Sequence, residues 1–217
     1  KGLISGPAIA PKEIDDRKKA SAIILSSWLG TGSLRKRYSV KKLQEVDDIP
    51  SSNMIIWKSL LKKIGGFSVE YWPGEDTYLC MQIKDKAKKK IVYSPDVLVY
   101  HHTRQVFQPY LEQIWRYGLH RGFFFKKFPS NSRKIIYLIP SLFIFLLIIG
   151  VPLIILFKWG PTFYLGSILG YILLCFIEST KVRNIKITFV VTIGFILTHF
   201  TYGLAFFKGL FSKQLIK

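Results

Sequence analysis

The sequence predicts a mixed α/β part followed by about three transmembrane helices. Three observations carry that prediction. The 217-residue chain is 49% hydrophobic and its mean hydropathy is positive, too apolar for an ordinary water-soluble domain. Its apolar residues gather in three uncharged runs near the C-terminus, 135–157, 160–177 and 187–207, of 23, 18 and 21 residues. At about 1.5 Å per helical residue the first and third cover the ~30 Å hydrocarbon core of a bilayer, and the second sits at the lower length limit. Before residue 134, by contrast, apolar stretches are short and are punctuated by Gly, Pro and Asp.

The first 106 residues divide into short elements. Gly2 to Ala10, broken by Gly6-Pro7, reads as a strand and a turn. Pro11 to Leu29 has helical spacing, with Ile14, Ala20, Ile24 and Trp28 apolar, and Gly30-Thr31-Gly32-Ser33 stops it. Arg35 to Val46 is a polar, basic loop, and Ser51 to Ile56 a short strand. Lys58 to Ile64 is a helical turn closed by Gly65-Gly66, because glycine takes the positive φ of a helix stop. Glu75 to Lys86 is a helix with Leu79, Ile83 and Ala87 on one face. Ile91–Tyr93 and Val97–Tyr100 are strands on either side of Ser94-Pro95-Asp96.

Residues 107–134 form a connecting unit. Phe107 to Phe125 is amphipathic, with an aromatic face and the cations Arg116, Arg121, Lys126 and Lys127 nearby, a pattern suited to lying in a membrane interface. Residues 135–217 are the membrane part. Gly166-x-x-x-Gly170 permits close helix packing there. His199, Tyr202, Gly203 and Lys208 mark the third run, and polar residues at such depth either serve function or pack inward. Cys80 and Cys175 have neither zinc-site nor disulfide-framework spacing and read as buried thiols.

Three constellations can carry chemistry. Glu75-Asp76 opens a helix, where acidic side chains are favoured by the dipole and the unpaired N–H groups even without a reaction. The same position tends to lower a carboxylate pKa, which suits a base that must be ionised. His101-His102 ends a strand, and period-two alternation puts His101 on the face of Val97 and Val99 and His102 on the other. Gln113 and Arg116 are three apart and Arg116 and His120 four apart, so all three can share a helix face. A guanidinium fork there suits phosphate oxygens, or it snorkels to lipid headgroups.

The order Gly65-Gly66-Phe67, Trp72-Pro73-Gly74-Glu75-Asp76, His101-His102 and Gln113-x-x-Arg116-Tyr117, just before a membrane segment, resembles the C-terminal half of the catalytic domain of membrane-bound family 2 glycosyltransferases. The resemblance implies a GT-A fold over residues 1–106. It also implies an inverting transfer of sugar from a nucleotide-sugar donor to a lipid-linked or cell-envelope glycan acceptor. Asp76 would be the general base, with Glu75 beside it, and Gly65, Gly66, Phe67 and Trp72 would form the acceptor loop. His101, or alternatively His102, would ligate a divalent metal, Mg²⁺ or Mn²⁺. Gln113, Arg116 and His120 would hold the donor diphosphate. Two departures stand out. Tyr117 replaces a Trp typical of processive synthases, and no Asp-x-Asp metal motif occurs, so the donor-binding half is expected upstream and the chain alone is expected to be inactive. The readings that compete with this are a processive polysaccharide synthase and a non-catalytic membrane scaffold or transporter subunit with a basic lipid-binding face.

Net charge is +19, and residues 1–134 hold 25 Lys/Arg against 12 Asp/Glu. Beside a bilayer such an excess points to anionic lipid headgroups rather than nucleic acid. Lys126, Lys127, Arg133 and Lys134 precede the first run, Lys181, Arg183 and Lys186 follow the second, and only Lys158 lies in the hairpin between them. By the positive-inside rule this places the catalytic part on the cytoplasmic face of a plasma membrane. Lys208, Lys213 and Lys217 oppose that topology if all three runs cross, unless the second run is re-entrant.

Overall fold

The computed structural model describes residues 1–215, leaving aside the side chains of Leu153 and Ile155; Lys217 of the basic tail lies outside the described residues. It shows a mixed α/β part and three helices long and apolar enough to cross a membrane.

The chain starts with β1 (Leu3–Ser5) and β2 (Ala8–Ile9). The helix predicted over Pro11–Leu29 forms as two pieces, α1 (Asp16–Ser26) and α2 (Trp28–Thr31). Asp15 caps α1 by accepting from the Lys18 N–H. Ser27 breaks the run: its backbone is extended and its Oγ accepts from Gly30 N–H at 2.9 Å, a local bond that competes with helix continuation. The basic stretch then coils into a 3-10 turn over Gly32–Tyr38. After it come β3 (Gln44–Val46), β4 (Met54–Ile56), α3 (Lys58–Ile64), α4 (Glu75–Asp85), β5 (Ile91–Tyr93) and β6 (Val99–Tyr100). β3 falls where the sequence predicts loop: its polar residues carry no strand signal, and antiparallel pairing with β5 makes it a strand.

The main sheet has the order β3-β5-β1-β4, with β1 parallel to β5 and antiparallel to β4. β2 and β6 pair separately in parallel, Ala8 opposite Val99. The predicted face of α4 is real. Leu79 and Ile83 are fully buried against Leu3, Ile64 and Ile91, with Ala87 at the rim of this core. Gly65 ends α3 in the left-handed region at φ 91°, and its N–H satisfies the Leu61 and Lys62 carbonyls.

In the connecting unit, α5 (Gln108–Lys127) buries Gly118 through Phe124, because the helix is wedged between the α/β part and the last helix. α6 (Pro129–Ser132) leads to α7 (Ile135–Leu156), α8 (Gly160–Thr180) and α9 (Ile185–Phe211). α5 and α9 touch backbone to backbone. A Cβ added at Gly122 would sit 1.9 Å from the Phe206 carbonyl oxygen, and one at Gly209 would sit 2.0 Å from that of Leu119. We therefore expect Gly122→Val to force the two helices apart at a cost of at least about 2 kcal/mol. Detergent-solubilised Gly122→Val should lose its monodisperse elution peak; an unaltered peak and melting midpoint would refute this packing.

The three apolar helices differ in environment. Within their most apolar windows α7 is 17% buried, α8 6% and α9 44%. Both ends of α9 rest on the α/β part. Near its start, Ile187, Val191 and Phe195 pack with Ala20 and Ile24 of α1 and with Val106. Past its end, Lys126 Nζ donates to the Ser212 carbonyl at 2.6 Å, and Leu215 is buried with Tyr71, Met81 and Phe123. Thr198 and His199 of α9 pack inward, whereas Lys208 is exposed. His199 Nε2 donates to the Leu29 carbonyl (2.8 Å) while Nδ1 accepts from the Tyr171 hydroxyl (2.7 Å), and Thr198 bonds the Tyr110 hydroxyl (2.8 Å). Gly166 and Gly170 of α8 meet nothing among the described residues.

Candidate active site

The site is built on the N-terminus of α4. Trp72-Pro73-Gly74 delivers the chain to Glu75-Asp76, and Gly74 presses on α5: an added Cβ would sit 2.9 Å from His120 Cδ2. One turn earlier on α5, the Arg116 guanidinium lies over the Trp72 ring at 5.3 Å from its centroid. The acidic pair and the Arg116–His120 face, separated by two strands in sequence, are therefore neighbours in space. Gln113 does not join them. Its amide donates to the Tyr117 hydroxyl at 2.9 Å, along its own helix.

Phe67 and Trp72, 46% and 40% exposed, form with Val69 and Glu75 an open groove of about 310 Å³. Gly65 and Gly66, both at positive φ, turn the chain into it. Glu75 Oε2 is buried with no hydrogen-bond partner among the described residues, an acceptor that water or a ligand would satisfy. Exposed aromatic rings beside that carboxylate oxygen suit a polyhydroxylated ligand with an apolar face.

His101 and His102 are both exposed, just beyond β6, which covers only Val99–Tyr100 of the predicted Val97–Tyr100 strand. The His101 N–H donates to the Ile9 carbonyl at 2.8 Å, extending the β2–β6 pairing. No group of three or more His, Cys, Asp or Glu side chains that could hold a metal occurs among the described residues. His101 can supply at most a single ligand, so these residues do not by themselves fit a Mg²⁺ or Mn²⁺ site and no chemical step is routed through a metal below.

Beneath the carboxylate pair lies a cluster that the sequence reading misses. Asp48 binds Arg121 and, at 2.9 Å, Arg37, and the side chains of Asp48 and Arg121 are almost completely buried. Thr77 Oγ1 donates to the other Asp48 oxygen at 3.1 Å. Burial alone would raise the Asp48 pKa, yet Arg121 and Arg37 together hold it well below the usual carboxylate range. One signal was available. Arg121 stands in a helix stretch running Gly118-Leu119-His120-Arg121-Gly122-Phe123-Phe124, and a cation in so apolar a segment demands a buried partner. Which partner it finds is a tertiary fact.

Asp76 is next to this cluster. Its Oδ1 accepts from the Thr77 N–H at 2.7 Å and its Oδ2 from the Ser51 N–H at 3.3 Å. The expected lowering of its pKa by the helix N-terminus does not occur. Burial, and then the negative charge of Asp48, raise it against the pull of Arg37 and the Thr77 N–H. The change suits a general base better, since a carboxylate with a higher pKa takes a proton more readily near neutral pH. His120 is fully buried; burial and the neighbouring Arg121 push its pKa down to about 3, so the ring is neutral. Its Nδ1 donates to the Arg116 carbonyl at 3.3 Å, which leaves Nε2 as a bare acceptor.

No family model, curated protein or solved structure matches the chain. The functional reading therefore rests on the residues and their geometry.

Proposed function

We propose that the chain is the acceptor-binding and membrane-anchoring part of an inverting glycosyltransferase. The observation that carries this reading is the meeting of Trp72, Glu75 and Asp76 with Arg116 and His120 across the α4–α5 contact. An acceptor sugar stacks on Phe67 and Trp72, with a hydroxyl held by Glu75. Asp76 takes the proton from the acceptor hydroxyl as its oxygen attacks the anomeric carbon, and the bond from that carbon to the nucleotide diphosphate breaks. Arg116, which forms no ion pair among the described residues, faces the charge on the departing diphosphate. Binding of the nucleotide sugar, and of a Mg²⁺ or Mn²⁺ ion with it, is assigned to groups other than these residues, with His101 as their one contribution. Membranes containing the full protein should release nucleoside diphosphate from one member of a panel of nucleotide sugars when native envelope lipids or glycans are supplied. Background release across the whole panel would sink the reading.

The same proposal includes a topology. α7 and α8 cross as a hairpin, each about 30 Å long. α9 stays on the side of the α/β part, since Ile187 at one end and Leu215 beyond the other both pack there. This arrangement removes the conflict over the tail: Lys208 and Lys213 join the cations before α7 and after α8 on one face, leaving Lys158 alone on the other. The shared face is the cytoplasmic one, where nucleotide sugars are made. In intact cells a single reporter cysteine beside Lys158 should react with an impermeant maleimide, while reporters at Ser130 and Ser212 should not. Reaction at Ser130 would invert the topology, and reaction at Ser212 alone would restore α9 as a crossing helix.

A further inference from the structure

A second cavity, of about 150 Å³, lies where α2, the Gly32–Tyr38 turn, α5, α7 and α9 meet. Its walls differ in character. Trp28, Ile136 and Ile139 make an apolar side, and Trp28 and Ile139 remain 59% and 47% exposed on the surface from which α7 departs. Arg37, His120 and Arg121 make a polar side. Arg37 and Arg121 each engage Asp48, yet Arg37 Nε and Arg121 Nη1 are buried without hydrogen-bond partners among the described residues. His120 Nε2, the bare acceptor described above, is also buried and has no partner among the described residues. Arg121 is held in place from the cavity side by the Tyr137 ring, 4.5 Å from its guanidinium carbon.

Buried donors and acceptors are satisfied in a native protein by protein, water or ligand. Two guanidinium donors and one acceptor lining an enclosed space with an apolar opening define what that ligand must be. It must accept from two cations, donate one hydrogen bond, and continue into an apolar chain. A phosphate monoester can meet all three requirements. Its oxygens accept from both guanidinium groups. With a second pKa of about 6 it is a mixture of dianion and monoanion near neutral pH, from which His120 Nε2 selects the monoanion that keeps one P–OH. A carboxylate ionised at neutral pH has no proton to give to His120 Nε2. The volume is that of roughly five waters at ~30 Å³ each, enough for a phosphate and the first carbons of a chain but not for a whole lipid. We propose that this cavity binds the phosphate headgroup of a membrane-borne lipid, whose chain leaves past Trp28 and Ile139 into the bilayer. The proposal rests on the cavity and not on the glycosyl-transfer reading, and its test needs no turnover.

The test uses the protein in phosphatidylcholine nanodiscs with radiolabelled farnesyl phosphate as the probe. Binding should saturate and be displaced by unlabelled farnesyl phosphate. Farnesol, palmitate and inorganic phosphate should each compete at least about tenfold more weakly, since each lacks one of the three features. Arg37→Gln should weaken binding about tenfold or more by removing the charge-assisted donor. Ile139→Trp narrows the opening without touching the charge cluster; it should weaken binding similarly while keeping the parent's elution profile. Farnesol competing as well as farnesyl phosphate would overturn the headgroup site, and equal competition by palmitate would overturn the choice of phosphate. Equal competition by inorganic phosphate would overturn the lipid source. Unchanged binding in well-folded Arg37→Gln and Ile139→Trp would remove the site from this cavity.

Discussion

Asp76→Asn should abolish nearly all glycosyl transfer while leaving the fold as stable as the parent or more so. The loss follows from the proposed role, since general-base catalysis typically contributes about 10²–10⁴-fold. The retained stability follows from the pKa direction. Burial and Asp48 raise the Asp76 pKa above its ordinary value, so the folded state binds this proton more tightly than the unfolded chain does. The stabilisation that comes with the proton is fully present below the unfolded value of about 3.9. It is lost as pH rises through the higher folded value. At neutral pH an ionised Asp76 therefore works against the fold, and an amide removes that penalty. Its oxygen keeps the bond from the Thr77 N–H, and only the longer one from the Ser51 N–H, at 3.3 Å, is given up. The acid limb of the rate profile should have its midpoint above the ordinary aspartate range for the same reason. Transfer rate and melting midpoint should be measured together on purified full-length protein. Near-parental turnover in Asp76→Asn would remove it as the base, whereas lost activity accompanied by a collapsed melting midpoint would make its role structural.

Asp48→Asn should do the opposite and break the fold first. It leaves Arg37 and Arg121 facing each other in a buried site without the carboxylate that binds both, and with Asp76 as the nearest counter-charge. Removing one partner of a buried ion pair costs about 3–5 kcal/mol, a large part of the ~5–15 kcal/mol that holds a typical domain together. Aggregation or a much lower melting midpoint is the expected result. Substituting Asp48→Leu together with Arg121→Met should recover part of the loss, because an apolar pair leaves fewer stranded charges. Because Arg121 and Arg37 hold the Asp48 pKa low, its contribution is present above the unfolded value and persists as pH falls to about 4. It disappears only as pH drops through the much lower folded value. An Asp48→Asn protein with the parent's midpoint at pH 7 would show that the cluster contributes nothing to stability.

The sequence by itself determined the elements whose signals are local. The uncharged runs give α7 and α8 because a bilayer-length apolar helix needs no information from elsewhere. Gly65-Gly66 gives the end of α3, and the spacing of Leu79 and Ile83 gives the buried face of α4. The groups that make the candidate site were legible one at a time: Glu75-Asp76 as a helix start, Phe67 and Trp72 as aromatics on a turn, Arg116 and His120 as one helix face. Only the tertiary structure decided the rest. β3 exists because β5 offers it a partner. Ser27 splits a helix that periodicity alone would continue. α9 has the length and composition of a crossing helix, but its ends are fixed by packing on α1 and on the Tyr71 cluster, which hydropathy does not encode. The largest gap concerns charge. Asp48 and Arg37 look in sequence like two of many surface ions, Arg121 signals only that it needs a partner, and the burial of Asp76 next to Asp48 reverses the pKa expected for Asp76. Helix and turn signals depend on neighbours a few residues away. The energy of a charge depends on the dielectric around it and on partners that here lie up to 73 residues distant in the chain, and only the folded arrangement brings them together.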